Sequence, residues 1–283
     1  MKKIFIAGAS GSVGKSLVLF LQKKKLELHC AYFTTKIYKY KLNNFYTYKI
    51  DLEKKTSIKK LIKINPDIII NLAAFTNPKK NEMFPKKSFQ KNVIINRNIV
   101  NYCKLYGKKL IFTSTDKVYG GNIKKPSETQ NLKPEGIYGI NKLKCENEIK
   151  KKLKQYLILR YASVYSEKKD LFNSLINSQI LKIKKRKKVY LATNIFRLFI
   201  SVEYLVNIIY LLIKFNTAGT FNIGSIPSSY YRLVLNMCKN KKIPYKNLLV
   251  KIKMKTDPQY LIPNTNKINY YLKSIGLKNN FLI

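Results

Sequence analysis

Apolar residues open the chain as a run and continue at helical spacing. Ile4-Phe5-Ile6-Ala7 stops at Gly8, and Leu17, Val18, Phe20 and Leu21 then recur along one helix face. This predicts a buried strand followed by a helix, and the unit repeats. Glu27 to Phe33 and Tyr46 to Ile50 read as strands, Thr56 to Ile64 as a helix and Pro66 to Leu72 as a fully buried strand. Ile94 to Leu105 reads as a helix and Lys109-Leu110-Ile111-Phe112-Thr113 as another buried strand. The alternation predicts an α/β protein with a doubly wound parallel sheet. After Val164 come a helix over Leu171 to Ile183, a helix over Tyr204 to Phe215, a short strand in 219–225 and an apolar spacing over 257–277. Without a linker or internal repeat, one unit with two lobes is expected. Residues 1–165 form the larger lobe, with a return segment near 189–225, and 166–283 mainly form a smaller C-terminal lobe.

The first strand leads into Gly8-Ala9-Ser10-Gly11-Ser12-Val13-Gly14. A strand, a glycine-rich turn and a helix in succession let main-chain amides and a helix N-terminus face an anion such as a pyrophosphate. The spacing is Gly-x-x-Gly-x-x-Gly. An acid at the end of the second strand would bind ribose hydroxyls, but Glu27 stands at that strand's start. Its end reads Phe33-Thr34-Thr35-Lys36, where hydroxyls and a cation suit a phosphate, so NADP(H) is favoured with NAD(H) open. Lys36 also reads as one more solvated lysine.

Tyr138 and Lys142 are four apart and lie on one helix face. A phenol titrates near pH ~10, and a neighbouring cation favours its ionised form, so the pair can serve as a general acid or base toward a carbonyl or alcohol. Spacing alone does not single it out. With 21 tyrosines and 56 Lys+Arg, of which only Arg97, Arg160, Arg186, Arg197 and Arg232 are arginine, chance gives about four such pairs. The others are Tyr32/Lys36, Tyr165/Lys169 and Tyr210/Lys214. What distinguishes Tyr138/Lys142 is the strand before it, which ends in Ser114-Thr115-Asp116. Ligands of parallel sheets bind beyond the carboxyl ends of strands, where the Thr115 hydroxyl can meet a substrate oxygen. Asp67, at the opposite end of its strand, reads as structural.

These residues, with Asp51-Leu52, Asn71-Leu72-Ala73-Ala74-Phe75-Thr76, Asn81-Glu82, Pro85, Asn92, Lys117-Val118-Tyr119-Gly120, Glu128, Pro134, Gly139, Glu146 and Arg160, resemble an extended short-chain dehydrogenase/reductase. The likeness covers about the first 165 residues in order, with weaker matches to the end. Within that group of nucleotide-sugar reductases, epimerases and dehydratases, the chain is most similar to the dTDP-4-dehydrorhamnose reductases. The resemblance implies a Rossmann domain and reduction of a 4-keto group on a nucleotide-diphosphate sugar, with an epimerase or dehydratase of the same fold as the alternative. It implies that Tyr138 donates the proton, that Lys142 holds the nicotinamide ribose and tunes the phenol, and that Thr115 binds the substrate oxygen. The glycine turn, including Ser10, Ser12 and Val13, would hold the pyrophosphate. Asp51 and Leu52 would border the adenine, and Ala73, Ala74 and Thr76 the cofactor. Asn92 would organise backbone and water beneath the site, although in so asparagine-rich a chain it reads nearly as well as a solvated helix residue. Phe75, Asp116 and Arg197 would serve the substrate. A rare arginine in this lysine-rich chain, Arg197 suits a phosphate or a base; its competing reading is a surface pair with Glu203. The reductases carry an acidic, Gly-Pro-Thr stretch before the returning helix where this chain has Ala192-Thr193-Asn194-Ile195-Phe196-Arg197, so the reaction class is better founded than the sugar.

A net charge of +42 attracts polyanions. The excess is lysine spread along the chain beside abundant Ile, Asn, Tyr and Phe, as a compositional bias produces, and RNA-module signatures are missing, so no specific nucleic-acid partner is expected. A nucleotide-binding family member without catalysis is a third reading, opposed by Thr115, Tyr138 and Lys142. Cys30, Cys103, Cys145 and Cys238 are scattered without metal spacing, and the single histidine, His29, reads as a core or sheet residue. The apolar stretch Leu205 to Ile213 is too short for a bilayer and no signal peptide opens the chain. A cytoplasmic enzyme without metal or membrane is therefore expected, with a homodimer left open.

Overall fold

A computed structural model describes residues 1–35, 44–121, 123, 125–168, 172–255 and 260–277. In chain order its elements begin β1 (Lys2–Ala7), α1 (Ser12–Leu21), β2 (Leu26–Tyr32), β3 (Phe45–Lys49), α2 (Ile58–Ile64), β4 (Ile68–Asn71), α3 (Pro78–Met83), α4 (Pro85–Phe89), α5 (Ile95–Tyr106), β5 (Lys109–Thr115), α6 (Gly136–Lys152) and β6 (Tyr156–Tyr161). They continue with β7 (Val164–Tyr165), α7 (Leu175–Lys184), β8 (Val189–Ala192), β9 (Phe196–Ser201), α8 (Val202–Lys214), β10 (Gly219–Asn222), β11 (Ile226–Ser229), α9 (Tyr230–Asn240), β12 (Leu249–Ile252), β13 (Tyr260–Leu261) and α10 (Asn266–Ser274).

Two units are distinct. The first takes Met1–Val118, Pro134–Arg160 and Val206–Thr220; the second takes Tyr119–Lys133, Tyr161–Leu205 and Phe221–Ile283. The first is built on a seven-stranded sheet in the order β10-β6-β5-β4-β1-β2-β3. Pairing is parallel from β3 through β2, β1 and β4 to β5, with Ala7 beside Ala31 and Asn71, and Asn71 beside Phe112. This is the doubly wound α/β arrangement that the strand and helix alternation predicts. Alternate positions of the central strands face opposite ways, so Phe5, Ile69, Leu110 and Phe112 meet Ile99, Val100 and Tyr102 of α5 in one buried cluster. Leu17, Val18 and Leu21 bury the inner face of α1. The strand order, not the strand direction, reverses between β1 and β4, and the crevice at such a switch point is where ligands of these sheets bind.

In the second unit β9 pairs with β11, β13 and β7, and β8 pairs with β12. Helices α7 and α9 cover them through Ile176, Ile180, Ile183, Val234, Met237 and Cys238. Two boundaries differ from the sequence expectation for local reasons. Ser174 accepts a hydrogen bond from the Asn177 amide and caps α7, which therefore starts at Leu175; Leu171 lies outside the described residues. The single strand expected in 219–225 is β10, which stops at Asn222, and β11 starts beyond it at Ile226. Gly224 stands at the break, where a Cβ would collide with the side chain of Leu198.

Candidate functional site

The carboxyl ends of β1, β4 and β5 lie side by side, which brings three loops of the first unit together. Gly8 turns the chain after β1 with φ +77, and a Cβ there would sit 2.7 Å from the Ala73 amide nitrogen. A side chain at Gly14 would collide with the Gly8 carbonyl, so the turn folds against the Ala73 backbone only as glycine permits. Gly11 opens α1 without a capping side chain, and the helix begins with the main-chain amides of Ser12 and Val13. Ser10 lies in the same turn, half-buried.

After β4, Ala73, Ala74 and Phe75 are half-buried and Thr76 is exposed. Asn92 fixes this loop: its side-chain oxygen accepts from the Phe75 amide at 2.8 Å and its nitrogen donates to the Phe75 carbonyl at 3.3 Å. Asn92 is buried in a π turn, Gln90–Ile94, that joins α4 to α5. One extra residue per turn aims its amide inward, so the structure shows a buried clamp and not a solvated asparagine. Around it Asn81 donates to the Phe75 carbonyl at 2.8 Å, Ser88 donates to Asn81, and Asn141 of α6 donates to Ser88 at 2.9 Å. All four side chains are buried and joined by these bonds, which ties the loop to α6.

Strand β5 ends at Thr115, whose hydroxyl donates to the Asp116 carboxylate at 3.1 Å. Helix α6 faces it. Its start is held by Glu82, which accepts from the Ile137 amide at 2.7 Å. Gly139 lets it come close, because a Cβ there would lie 2.8 Å from the Lys117 carbonyl oxygen. One turn apart on α6, Lys142 is buried and Tyr138 is half-buried. The Lys142 ammonium lies 5.8 Å from the Tyr138 ring centroid and 4.4 Å from that of Phe112, and it donates to the Thr113 carbonyl at 2.7 Å. The sequence brings Lys142 to the phenol; the structure puts it against the ring and bonds it to β5. Burial holds its amine down at about 8, opposed by Cys145 and Glu146. A further turn along, Glu146 accepts from Ser114 at 2.5 Å and from Arg160 Nη2 at 2.6 Å, all three buried.

The residues expected to border the adenosine divide. Asp51 lies two residues past β3, and its side chain accepts from the Glu53 amide at 3.2 Å. Leu52 is buried in the hydrophobic cluster, and its carbonyl accepts from the Asn98 side chain of α5 at 2.9 Å. Thr34 and Thr35 are exposed at the end of β2, and Lys36 lies outside the described residues. Arg197 belongs to the second unit, on β9, where its Nη1 donates to the Phe196 carbonyl at 2.7 Å. Glu203 does not pair with it: Ser166 donates to that carboxylate at 2.6 Å. Arg197 lines a cavity of about 550 Å³ with Gln179, Lys188, Tyr190, Leu191 and Tyr230. Of the residues that hold this site together, the sequence gives Asn81, Glu82 and Glu146 only as parts of a resemblance and does not mark Ser88 or Asn141. Their signal is polarity at inward helix positions, which 3.6-residue periodicity exposes only once the helix's buried face is known. Among the described residues no group of His, Cys, Asp or Glu could hold a metal, and no helix is long and apolar enough to cross a membrane.

Known proteins share both sequence and fold with this chain. A dTDP-D-glucose 4,6-dehydratase of Dictyostelium discoideum is 28% identical over 198 residues, 59% of this chain and 45% of the relative. A dTDP-4-dehydrorhamnose reductase of Shigella flexneri is 34% identical over 111 residues, 39% of this chain and 37% of the relative. The chain thus spans less than half the length of these curated relatives in each match. The dTDP-4-dehydrorhamnose reductase of Bacillus anthracis, solved in complex with NADP, superposes with a TM-score of 0.81 at 23% identity, covering 98% of this chain and 94% of that one. The RmlD substrate binding domain matches residues 1–224, and with the sheet, the glycine turn and the α6 residues in one unit the chain belongs to the RmlD substrate-binding-domain family.

Proposed function

We propose that the protein is an NAD(P)H-dependent reductase of a 4-keto group on a nucleotide-diphosphate sugar, in deoxysugar synthesis. The observation that carries this reading is the junction of β5 and α6, where Thr115 ends the strand and Tyr138 and Lys142 occupy successive turns of the helix packed on it. The residues fit a dinucleotide: a turn too tight for any side chain at Gly8 leads into a helix that starts without a side-chain cap. The nicotinamide, when bound, supplies the hydride. Thr115 holds the carbonyl oxygen of the substrate through its hydroxyl, and Tyr138 delivers the proton to that oxygen as it becomes an alcohol. Lys142 keeps positive charge at the tyrosine ring and fixes the helix to the strand. Ala73, Ala74 and Thr76 border the cofactor on a loop that Asn92 holds rigid. Arg197 of the second unit lines a cavity that would take a nucleotide. An arginine, tyrosines and apolar walls suit a base and its diphosphate. The B. anthracis reductase was solved with NADP, in keeping with NADP(H) as the favoured cofactor. Four free, buried cysteines accord with a cytoplasmic setting.

The test is incubation with a panel of nucleotide-sugars and reduced cofactor, following loss of the reduced nicotinamide and the product by NMR. A 4-keto nucleotide-sugar such as dTDP-4-dehydrorhamnose should be reduced, and the free sugar should not. The 198-residue match to a dehydratase favours a second reading. In that case a 4,6-dehydrated or epimerised product would form with no net use of reduced cofactor, and the reductase assignment would fall.

A further inference from the structure

At the ends of β2 and β3 an ordered cation is brought in from a distant helix. The Ile50 amide donates to the Tyr32 carbonyl at 2.9 Å, so these two strand ends lie side by side. Phe33, the first residue past β2, leaves 44% of its surface exposed, and the Lys91 ammonium lies 4.7 Å from its ring centroid. The same ammonium is bonded to the Glu53 carboxylate, and the two side chains keep 28% and 23% of their surface. Glu53 is itself fixed, because the buried Asn98 amide donates to the carbonyls of Leu52 at 2.9 Å and Glu53 at 3.0 Å.

We infer that Lys91 is the residue that selects a 2′-phosphorylated adenosine, with Glu53 as its counter-ion. The inference rests on the dinucleotide reading above. In these sheets the end of the second strand is where the adenosine ribose meets the protein, an acid there accepting from the 2′-hydroxyl and a cation receiving a 2′-phosphate. Here both types are present as one pair. A phosphate carries roughly two negative charges and more acceptor oxygens than a carboxylate, so it outcompetes Glu53 for the ammonium. Without Lys91, the carboxylate is left alone to repel phosphate and to accept from a hydroxyl. Lysine is abundant in this chain, yet Lys91 is anchored at both its aromatic and its acidic contact, which a solvated lysine is not.

The test is calorimetric titration of the full chain with two adenosine fragments, ADP and adenosine 2′,5′-bisphosphate, which need no turnover. The wild type should bind the 2′-phosphorylated fragment about tenfold more tightly. Lys91→Gln should abolish that preference with ADP affinity unchanged, which also shows that the variant is folded. Lys91→Arg should keep the preference, and Glu53→Gln should widen it. An undiminished preference in Lys91→Gln would overturn the inference. A wild type that binds both fragments alike would overturn it while leaving the dinucleotide reading intact; a wild type that binds neither overturns both.

Discussion

Lys142 of α6 donates to the carbonyl oxygen of Thr113 on β5 at 2.7 Å, a buried ammonium bonded to the strand that ends in Thr115. Because burial lowers this amine from 10.5 to about 8, the unfolded chain binds more protons than the folded one between those two values. The stability penalty is therefore absent above pH ~10.5, grows as the pH falls and is complete below ~8, where it amounts to about 3 kcal/mol. Lys142→Met should stabilise the fold at pH 7 by about 2 kcal/mol, after roughly 1 kcal/mol for the lost hydrogen bond, while removing turnover. Urea melts of both proteins across this range should show the gain shrinking toward pH 10.5; a variant less stable than wild type at pH 7 would contradict the assignment.

Tyr138→Phe removes one hydroxyl and leaves the ring beside Lys142. If that hydroxyl delivers the proton, kcat should fall by about 10²- to 10⁴-fold with cofactor affinity nearly unchanged. Steady-state kinetics and cofactor titration measure the two separately. Activity within a few-fold of wild type would remove Tyr138 from the mechanism.

Glu146 and Arg160 form a buried ion pair, with Ser114 and, at 3.6 Å, the Lys150 ammonium also on the carboxylate, and removing Arg160 takes away the buried partner of that charge. Arg160→Met should cost about 3–5 kcal/mol in chemical denaturation, whereas replacing both ends with apolar residues should cost much less. Equal losses in the single and double variants would show that packing, not charge, dominates at this position.

Arg197→Lys keeps the charge and loses the planar fork. KM for the nucleotide-sugar should rise about tenfold, roughly 1.4 kcal/mol, with cofactor affinity unchanged. Unaltered KM, or equal turnover of the free sugar, would place the nucleotide anchor elsewhere.

Much of this architecture is legible in short stretches of sequence. Ile4 to Gly14 determines a strand, a tight turn and a helix start, because apolar periodicity and glycine spacing are local properties of the chain. The hydroxyl residues that end β5, and the shared helix face of Tyr138 and Lys142, are fixed in the same way. The partners of those residues are not. Periodicity cannot say that Lys142 reaches Thr113, that Leu52 turns into the core, that Asn92 clamps Phe75 from a π turn, or that Lys91 settles on Phe33 and Glu53. Each such contact joins segments far apart in the chain, and its geometry exists only once the sheet and its helices have packed. Sequence determined which elements form and what chemistry they carry; tertiary packing decided which side chains are buried, and burial is what sets the charge, pairing and reach of each one.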